Sequence, residues 1–530
     1  MFEGFSSEGK PREECGVFAV YGHEQAARMT FFKFLLITFQ SLKKWRIYIG
    51  RNPQLVPSKS IIIFPWLPET LPCGLAGILT IKKETQVKDN ILENLSSLFE
   101  EAKSNCLNKL LSQSISPEKY LGGLGKLGDM DGYVLYLKQG SAFEHIFFQP
   151  GMVEELTTLS KAMSSFLLNE EELIEKNAGK FSTGEMEHVN NSLTFMKDSA
   201  WALERDILSN IDKILYLSGC EERPEISQKG FMKYRNVNLL LNSIDRLEVR
   251  GRDSAGIQIT FTLKDKGASG RVIKSLKDNG LYDDMVRRLN PGDLLDGSIH
   301  LSDKASEDGL TSVTFTYKKA SVTGELGENT SYIRNRIRTD QILQNFIKED
   351  IESEMYLAHT RWASVGSITE ENCHPVNNFT SNSRIDTSSD LLLLLKEYPY
   401  YGRGAWSINV ALNGDIDNYK ALRLSLETDG SEIIDRRVTT DTKIIPLQIE
   451  KYLYDGYGLK ESFRLTLNDF EGSHAIAMQS NLEPGKMFIA LRGSGQSLYV
   501  GLCDDQYMFS SEIYGLVEQT PHFIKMDGES

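Results

Sequence analysis

A helical periodicity running from about residue 88 to residue 220 constrains this chain most, because it stands between two stretches that read as strands. Ile91, Leu92, Leu95, Leu98 and Phe99 recur at helical spacing, as do Leu203, Ile207, Ile211 and Leu215, which lines apolar side chains along one helix face. Ahead of it lies Cys73-Gly74-Leu75-Ala76-Gly77-Ile78-Leu79-Thr80-Ile81, a short apolar run of strand character. From Leu239 onward, segments rich in Val, Ile and Tyr alternate with helical ones, ending in strand-like residues 487–491 and 507–510. The pattern predicts an α+β layered domain split by a helical insertion. The expected divisions are residues 1–72, 73–87, 88–235 and 236–530.

At 530 residues the chain exceeds the roughly 250 to 300 at which single cores stop growing, so more than one unit is expected. A net charge of −14 argues against a general nucleic-acid binder, which needs clustered Lys and Arg that outnumber nearby carboxylates. The six cysteines form no CxxC pair, which argues against structural zinc and suits a reducing cytoplasm. The apolar run at residues 60–66 is broken by Pro65 and falls well below the ~20 residues that span a bilayer. Glu3 and Glu8 near Met1 argue against a signal peptide.

The first 71 residues change character midway. Cys15-Gly16-Val17-Phe18-Ala19-Val20-Tyr21-Gly22 reads as a strand and His23-Glu24-Gln25-Ala26-Ala27-Arg28 as the start of a helix. Residues 31–71, with Lys43-Lys44-Trp45-Arg46 and several prolines, show no clear period and read as a junction. Residues 264–305 hold turn formers such as Asn290-Pro291-Gly292-Asp293 and read as surface loops.

Four later segments carry side chains suited to chemistry. Arg250-Gly251-Arg252-Asp253-Ser254-Ala255-Gly256-Ile257 places small and charged residues before a strand; alone, it is a glycine-permitted turn. In Ala358-His359-Thr360-Arg361-Trp362-Ala363-Ser364-Val365-Gly366, followed by Glu371-Asn372-Cys373-His374-Pro375, Arg361 offers a planar fork matched to a carboxylate. A surface ion pair is the plainer use of that arginine, and His359 and His374 read first as satisfied core histidines. Asn413-Gly414 ends an apolar run in a turn signal. It can also aim an amide side chain and an unhindered N–H at one point, as an oxyanion hole requires. Thr439-Thr440-Asp441-Thr442-Lys443 sets a carboxylate among hydroxyls before an apolar helix, with an N-cap as the plain alternative.

Cys73-Gly74, Arg250-Gly251 with Asp253-Ser254-Ala255-Gly256, His359-Thr360-Arg361-Trp362-Ala363, Asn413-Gly414 and Thr440-Asp441-Thr442 follow one another as in type 2 glutamine amidotransferases. That family uses an N-terminal cysteine as nucleophile, and the resemblance covers roughly residues 73–81 and 239–530. Within it, the Arg250 and His359 segments and His374-Pro375 resemble the glutaminase domain of glucosamine-6-phosphate synthase (glutamine-fructose-6-phosphate aminotransferase, isomerizing). The N-terminus differs. Glu13-Glu14-Cys15-Gly16-Val17-Phe18 and Tyr21-Gly22-His23-Glu24-Gln25-Ala26-Ala27-Arg28 resemble amidophosphoribosyltransferase, and the similarity breaks off after Phe31. A fragment of one amidotransferase, fused or frame-disrupted ahead of another, is the expected origin of residues 1–72.

The resemblance implies a four-layer α/β/β/α sandwich of the N-terminal nucleophile hydrolase type, with a large helical insertion. It implies that the Cys73 thiolate, or alternatively that of Cys15, attacks the side-chain amide carbon of glutamine, that ammonia leaves, and that water hydrolyses the thioester. The cysteine's own α-amine, titrating near ~8, serves such enzymes as base. Neither cysteine begins this chain, so prior processing is implied. By resemblance, Asn413 and the N–H of Gly414 stabilise the oxyanion, an effect worth ~3 to 4 kcal/mol per donor. Arg361 holds the substrate carboxylate, Asp441 its ammonium, Trp362 and Ser364 line the pocket, and Arg250 and Gly251 stand near the nucleophile.

Leu412 and Val365 occupy positions where the family has His, and 177 residues separate Cys73 from Arg250. A loop of that length costs little more than a shorter one, because closure entropy grows logarithmically. No cofactor or metal is called for. The expected partners are glutamine and a separate sugar-phosphate synthase domain or subunit, since the isomerase half of the resembled enzyme is expected to lie outside these residues. Neither nucleic acid nor membrane is expected as a partner. Two alternatives stand beside this reading: an amidophosphoribosyltransferase of purine synthesis, and a catalytically silent binding or regulatory protein on the same fold.

Overall fold

A computed structural model describes residues 73–80, 90–265, 267–289, 294–302, 310–321, 325–380, 407–428 and 434–528, with short strands at Gly16–Phe18, Ile47–Ile49 and Ile62–Ile63. Cys15 lies outside the described residues. The structure is α+β, with strands and helices intermixed along the chain.

The larger sheet runs, edge to edge, Ile47–Ile49, His522–Lys525, Tyr499–Leu502, Gln506–Ser510, Gly74–Thr80, Ile351–Arg361, Ser254–Leu263, Ser312–Ala320 and Ile299–Ser302. A smaller sheet runs Met487–Arg492, His474–Ser480, Ile408–Gly414 and Val376–Asn377. Adjacent strands pair antiparallel in both. Gly74 therefore stands opposite Thr360, and Ser254 opposite Arg361, so three of the sequence segments meet at one end of the larger sheet.

Period-two alternation sorts the side chains. On the larger sheet Ala76, Ile78, Tyr356, Ala358, Ile257 and Ile259 face a helical core, while Leu75 and Leu357 join Ala411 and Ala477 of the smaller sheet in a second apolar cluster. Small alanines opposite leucines let the two sheets approach closely. Each buried leucine there contributes roughly 1.5–3 kcal/mol by leaving water, and Leu357→Ala would cost ~2–5 kcal/mol. Polar positions on these inner faces also pair across the gap: Gln258 donates to Asn409 at 3.0 Å and Gln479 to Thr260 at 3.2 Å. On its other face the smaller sheet packs Ile408, Val410, Leu412, Ile476 and Met478 against residues of the helices Ile444–Tyr454 and Leu459–Asp469.

Residues 91–218 are almost wholly helical, and their apolar faces share one core with the larger sheet. Ser182 and Glu185 form a reciprocal cap that satisfies two otherwise orphan N–H groups at the start of Thr183–Trp201. The π-helical turn Ala202–Leu208 carries Asp206, which is buried and paired with Lys138 at 3.0 Å. The helix Gln228–Leu247, capped by Ser227, runs unbroken through residues 235 and 236 and packs on the larger sheet. It delivers Leu247 and the following Arg250-Gly251 turn to the end of that sheet where Cys73 lies.

The loops expected over residues 264–305 are a correction. Helices Ala268–Asp278 and Tyr282–Leu289 and the strand Ile299–Ser302 occupy much of that stretch. Val272, Ile273, Leu276, Met285 and Leu289 are buried, and their helical spacing outweighs the turn residues around them. Among the described residues no helix is long and apolar enough to cross a membrane.

Candidate active site

Cys73 is the residue immediately before the Gly74–Thr80 strand and is 9% exposed. Its Sγ accepts a hydrogen bond from the backbone N–H of Trp362 at 3.4 Å, and its carbonyl accepts one from Asn413 Nδ2 at 2.6 Å. Burial pushes its thiol up to about 11, against the pull of the Trp362 amide and of the Arg361 charge. The two contacts come from the ends of strands in different sheets, Ile351–Arg361 and Ile408–Gly414.

Gly251 is required by close approach. A Cβ there would lie 2.6 Å from the carbonyl carbon of Arg361 and 2.7 Å from the amide of Trp362, the amide that reaches Cys73. Gly414 is required by conformation, with φ of 90° and no room for a Cβ against the carbonyl of Ser473.

Arg361 is 3% exposed, and its guanidinium donates to the carbonyls of Ser367 at 3.1 Å and of Val365. It forms no ion pair among the described residues. Those bonds fold residues 362–367 into a loop over the site. Ala363 N–H donates to Asp253 at 3.1 Å, and Ser364 Oγ to Asp415 at 2.7 Å. Trp362 is 38% exposed at the rim.

Asp441 opens a single helical turn capped by the hydroxyl of Thr440, and its carboxylate accepts the amide of Ile416 at 2.9 Å. Burial raises its pKa to about 6, with the neighbouring charge of Asp415 adding to the rise and Arg361 opposing it. A buried cation and a buried carboxylate thus both act electrostatically on the Cys73 thiol.

The structure brings together Cys73, Gly251, Arg361, Trp362, Asn413 and Asp441, with Ser364 and Gly414 on the adjoining turns. Arg250 is the exception: its guanidinium is engaged by Glu512 and by Tyr514 Oη at 3.1 Å. Several participants carry no assigned role in the sequence. Asp415, Asp253 and Asn372 each bind a loop of the site, and His359 Nε2 lies 2.9 Å from Asn413 Oδ1. Asp253 and His359 stood inside the recognised motifs without a role, and the signal for Asp415 and Asn372 was adjacency to those motifs. Among the described residues no group of His, Cys, Asp and Glu is arranged to hold a metal ion.

No protein-family model matches the chain. In sequence it is similar to glutamine amidotransferases as a class. The relatives that carry this are glutamine–fructose-6-phosphate aminotransferases (isomerizing). That of Methanothermobacter thermautotrophicus is 30% identical over 190 residues, 36% of this chain and 27% of the relative. That of Geobacillus kaustophilus is 28% identical over 302 residues, 57% of this chain and 34% of the relative. The chain thus spans about a quarter to a third of the length of these relatives. A solved glutamine phosphoribosylpyrophosphate amidotransferase from B. subtilis aligns with 50% of this chain and 43% of its own at 16% identity, with a TM-score of 0.27, a likeness too slight to define the fold.

Proposed function

We propose that residues 73–81 and 239–530 form a glutaminase module of the N-terminal nucleophile type, an α/β/β/α sandwich into which the helical block of residues 88–235 is inserted. Cys73 is its nucleophile. The observation that carries this reading is the buried guanidinium of Arg361, which has no carboxylate partner among the described residues, together with the buried carboxylate of Asp441, both near enough to Cys73 to act on its thiol. A guanidinium taken from water without a counter-ion is costly, and a substrate carboxylate removes that cost. A substrate ammonium does the same for Asp441, so the two together suit a zwitterionic amino acid.

The thiolate attacks the glutamine side-chain amide carbon. The tetrahedral oxyanion is met by the Gly414 N–H and by the Asn413 amide, which is now spent on the Cys73 carbonyl and must turn or share. Ammonia leaves with the proton supplied by the base, and water then cleaves the thioester to glutamate. That base is the cysteine α-nitrogen, which in this chain is acylated by Pro72 and becomes an amine only when the Pro72–Cys73 bond is cut. Trp362 and Ser364 line the pocket, Gly251 leaves room for the Arg361–Trp362 backbone whose amide reaches Cys73, and Arg250 supports the site through Glu512. The ammonia goes to a synthase domain or subunit, with fructose 6-phosphate as acceptor, as the relatives' names suggest.

The test is intact-mass and N-terminal analysis of the purified protein with and without a diazo-ketone analogue of glutamine. An N-terminal Cys73 bearing the adduct upholds the glutaminase. A chain still beginning at Met1 with no adduct overturns it in favour of a silent binding protein on this fold.

A further inference from the structure

Two buried imidazoles are left over once the nucleophile, the oxyanion donors and the charged pair are assigned. His359 and His374 are 0% and 3% exposed, with ring centroids 4.4 Å apart and planes tilted by 39°. His359 Nε2 lies 2.9 Å from Asn413 Oδ1, and His374 Nε2 lies 2.7 Å from Thr442 Oγ1. Among the described residues the buried Nδ1 atom of each ring has no partner in good hydrogen-bond geometry, although the backbone of Leu412 acts on both rings.

The neighbours fix where the protons are. The Cys73 carbonyl can only accept, so the Asn413 group 2.6 Å from it is the amide NH2. Asn413 Oδ1 therefore faces His359 and can also only accept, so His359 Nε2 carries a proton. A second proton on Nδ1 would set a buried cation beside Arg361, a cost that the Leu412 carbonyl acting on the ring does not offset. Burial and the Arg361 charge accordingly hold the His359 pKa down to about 3. His359 is neutral, in its Nε2–H form.

We infer that His359 is a positioning residue of this site: its Nε2–H holds the oxygen of the Asn413 amide, so that the NH2 end faces the reacting cysteine. The inference rests on the glutaminase reading of Cys73 and deepens it. The two ends of a carboxamide have nearly the same shape, and packing alone does not choose between them. The wrong end would meet the oxyanion with lone pairs and replace stabilisation by repulsion. His374 backs the His359 ring and is fixed in turn by the hydroxyls of Thr440 and Thr442, which flank Asp441. The same stack thus braces the amide side and the ammonium side of the pocket. Substrate capture by Arg361 and Asp441 does not pass through this bond, so its loss acts on turnover.

The test compares glutamine hydrolysis by the protein cleaved at the Pro72–Cys73 bond with that of its His359→Leu and His359→Gln variants cleaved in the same way, alongside the diazo-ketone adduct and histidine 15N spectra of the wild type. The expected result for His359→Leu is a kcat lowered about 10- to 100-fold with KM changed by less than about twofold, as for a misdirected oxyanion donor. His359→Gln, whose amide can donate to Asn413, recovers most of that loss. The wild-type spectra show a neutral Nε2–H ring that keeps this form down to about pH 5. A KM effect in place of a kcat effect overturns the inference, as does a Gln variant no better than Leu. An Nδ1–H ring in an active wild type overturns it even if His359→Leu fails to fold. A wild type that forms neither adduct nor ammonia sinks the glutaminase reading itself, and the positioning role with it.

Discussion

The side-chain oxygen of Asn372 accepts hydrogen bonds from the backbone amides of both Thr439, at 2.6 Å, and Thr440, at 2.8 Å. Its NH2 donates to Ser367 Oγ at 2.9 Å and to the Arg437 carbonyl at 3.0 Å. One side chain therefore joins the loop folded by Arg361 to the turn that carries Asp441. Asn372→Ala leaves the buried Thr440 amide without an acceptor and is expected to cost ~1–3 kcal/mol. Urea denaturation measures this, and a loss below about 0.5 kcal/mol would show that water replaces the bond.

Arg361 and Arg250 should separate cleanly. Arg361→Lys keeps the charge but loses the fork that a carboxylate fits, so its expected signature is a raised KM for glutamine, on the order of tenfold or more. Arg250→Lys disturbs a pair with Glu512 and should lower stability by ~1 kcal/mol with little change in KM. Steady-state hydrolysis and thermal unfolding of both variants check this; equal KM effects would mean that both arginines touch substrate.

Asp441 makes binding depend on pH. Its carboxyl sits near 6 in the folded protein against an ordinary value of 3.8, because burial disfavours the charge. Between those values the folded state holds the proton more tightly than the unfolded chain, so this group's contribution to stability falls as pH rises through that window. Above pH ~6 the group is ionised and destabilising but ready to bind an ammonium. Affinity for glutamine should therefore weaken as pH falls below about 6. Asp441→Asn should be more stable than wild type at neutral pH, by up to ~3 kcal/mol, while binding glutamine poorly. Calorimetric titrations across pH 5 to 8 decide it, and a flat affinity profile would remove Asp441 from the pocket.

The Cys73 thiol predicts an alkylation profile. With its pKa pushed up to about 11, the thiolate is scarce at neutral pH and its share rises about tenfold per unit of pH. Modification of Cys73 by iodoacetamide, followed by peptide mass analysis, should climb without a plateau up to about pH 10. A plateau near the ordinary thiol value of ~8.5 would mean that the site is open to water.

The sequence conveyed much of this through local period. The spacing of Ile91, Leu92, Leu95 and Phe99 identified a helix face that is buried, and the apolar run around Leu75 identified a strand. The order of the motifs also marked Cys73, Arg361, Asn413 and Asp441 as belonging together. Residues 264–305 were misread because glycine and proline signals are local, whereas the burial of Val272, Ile273 and Met285 depends on what packs against them.

By itself, then, the sequence determined which residues line a helix or strand face, since that follows from a repeat of two or 3.6 residues within a short window. Only the tertiary structure decided which partner each polar group found. Arg250 is taken by Glu512, 262 residues further on, while Arg361 meets no carboxylate among the described residues. His359 meets Asn413 across two sheets, and Asn372 bridges two loops. Such pairings depend on how distant segments dock, and a charge or an amide in the chain carries no record of the group it will meet.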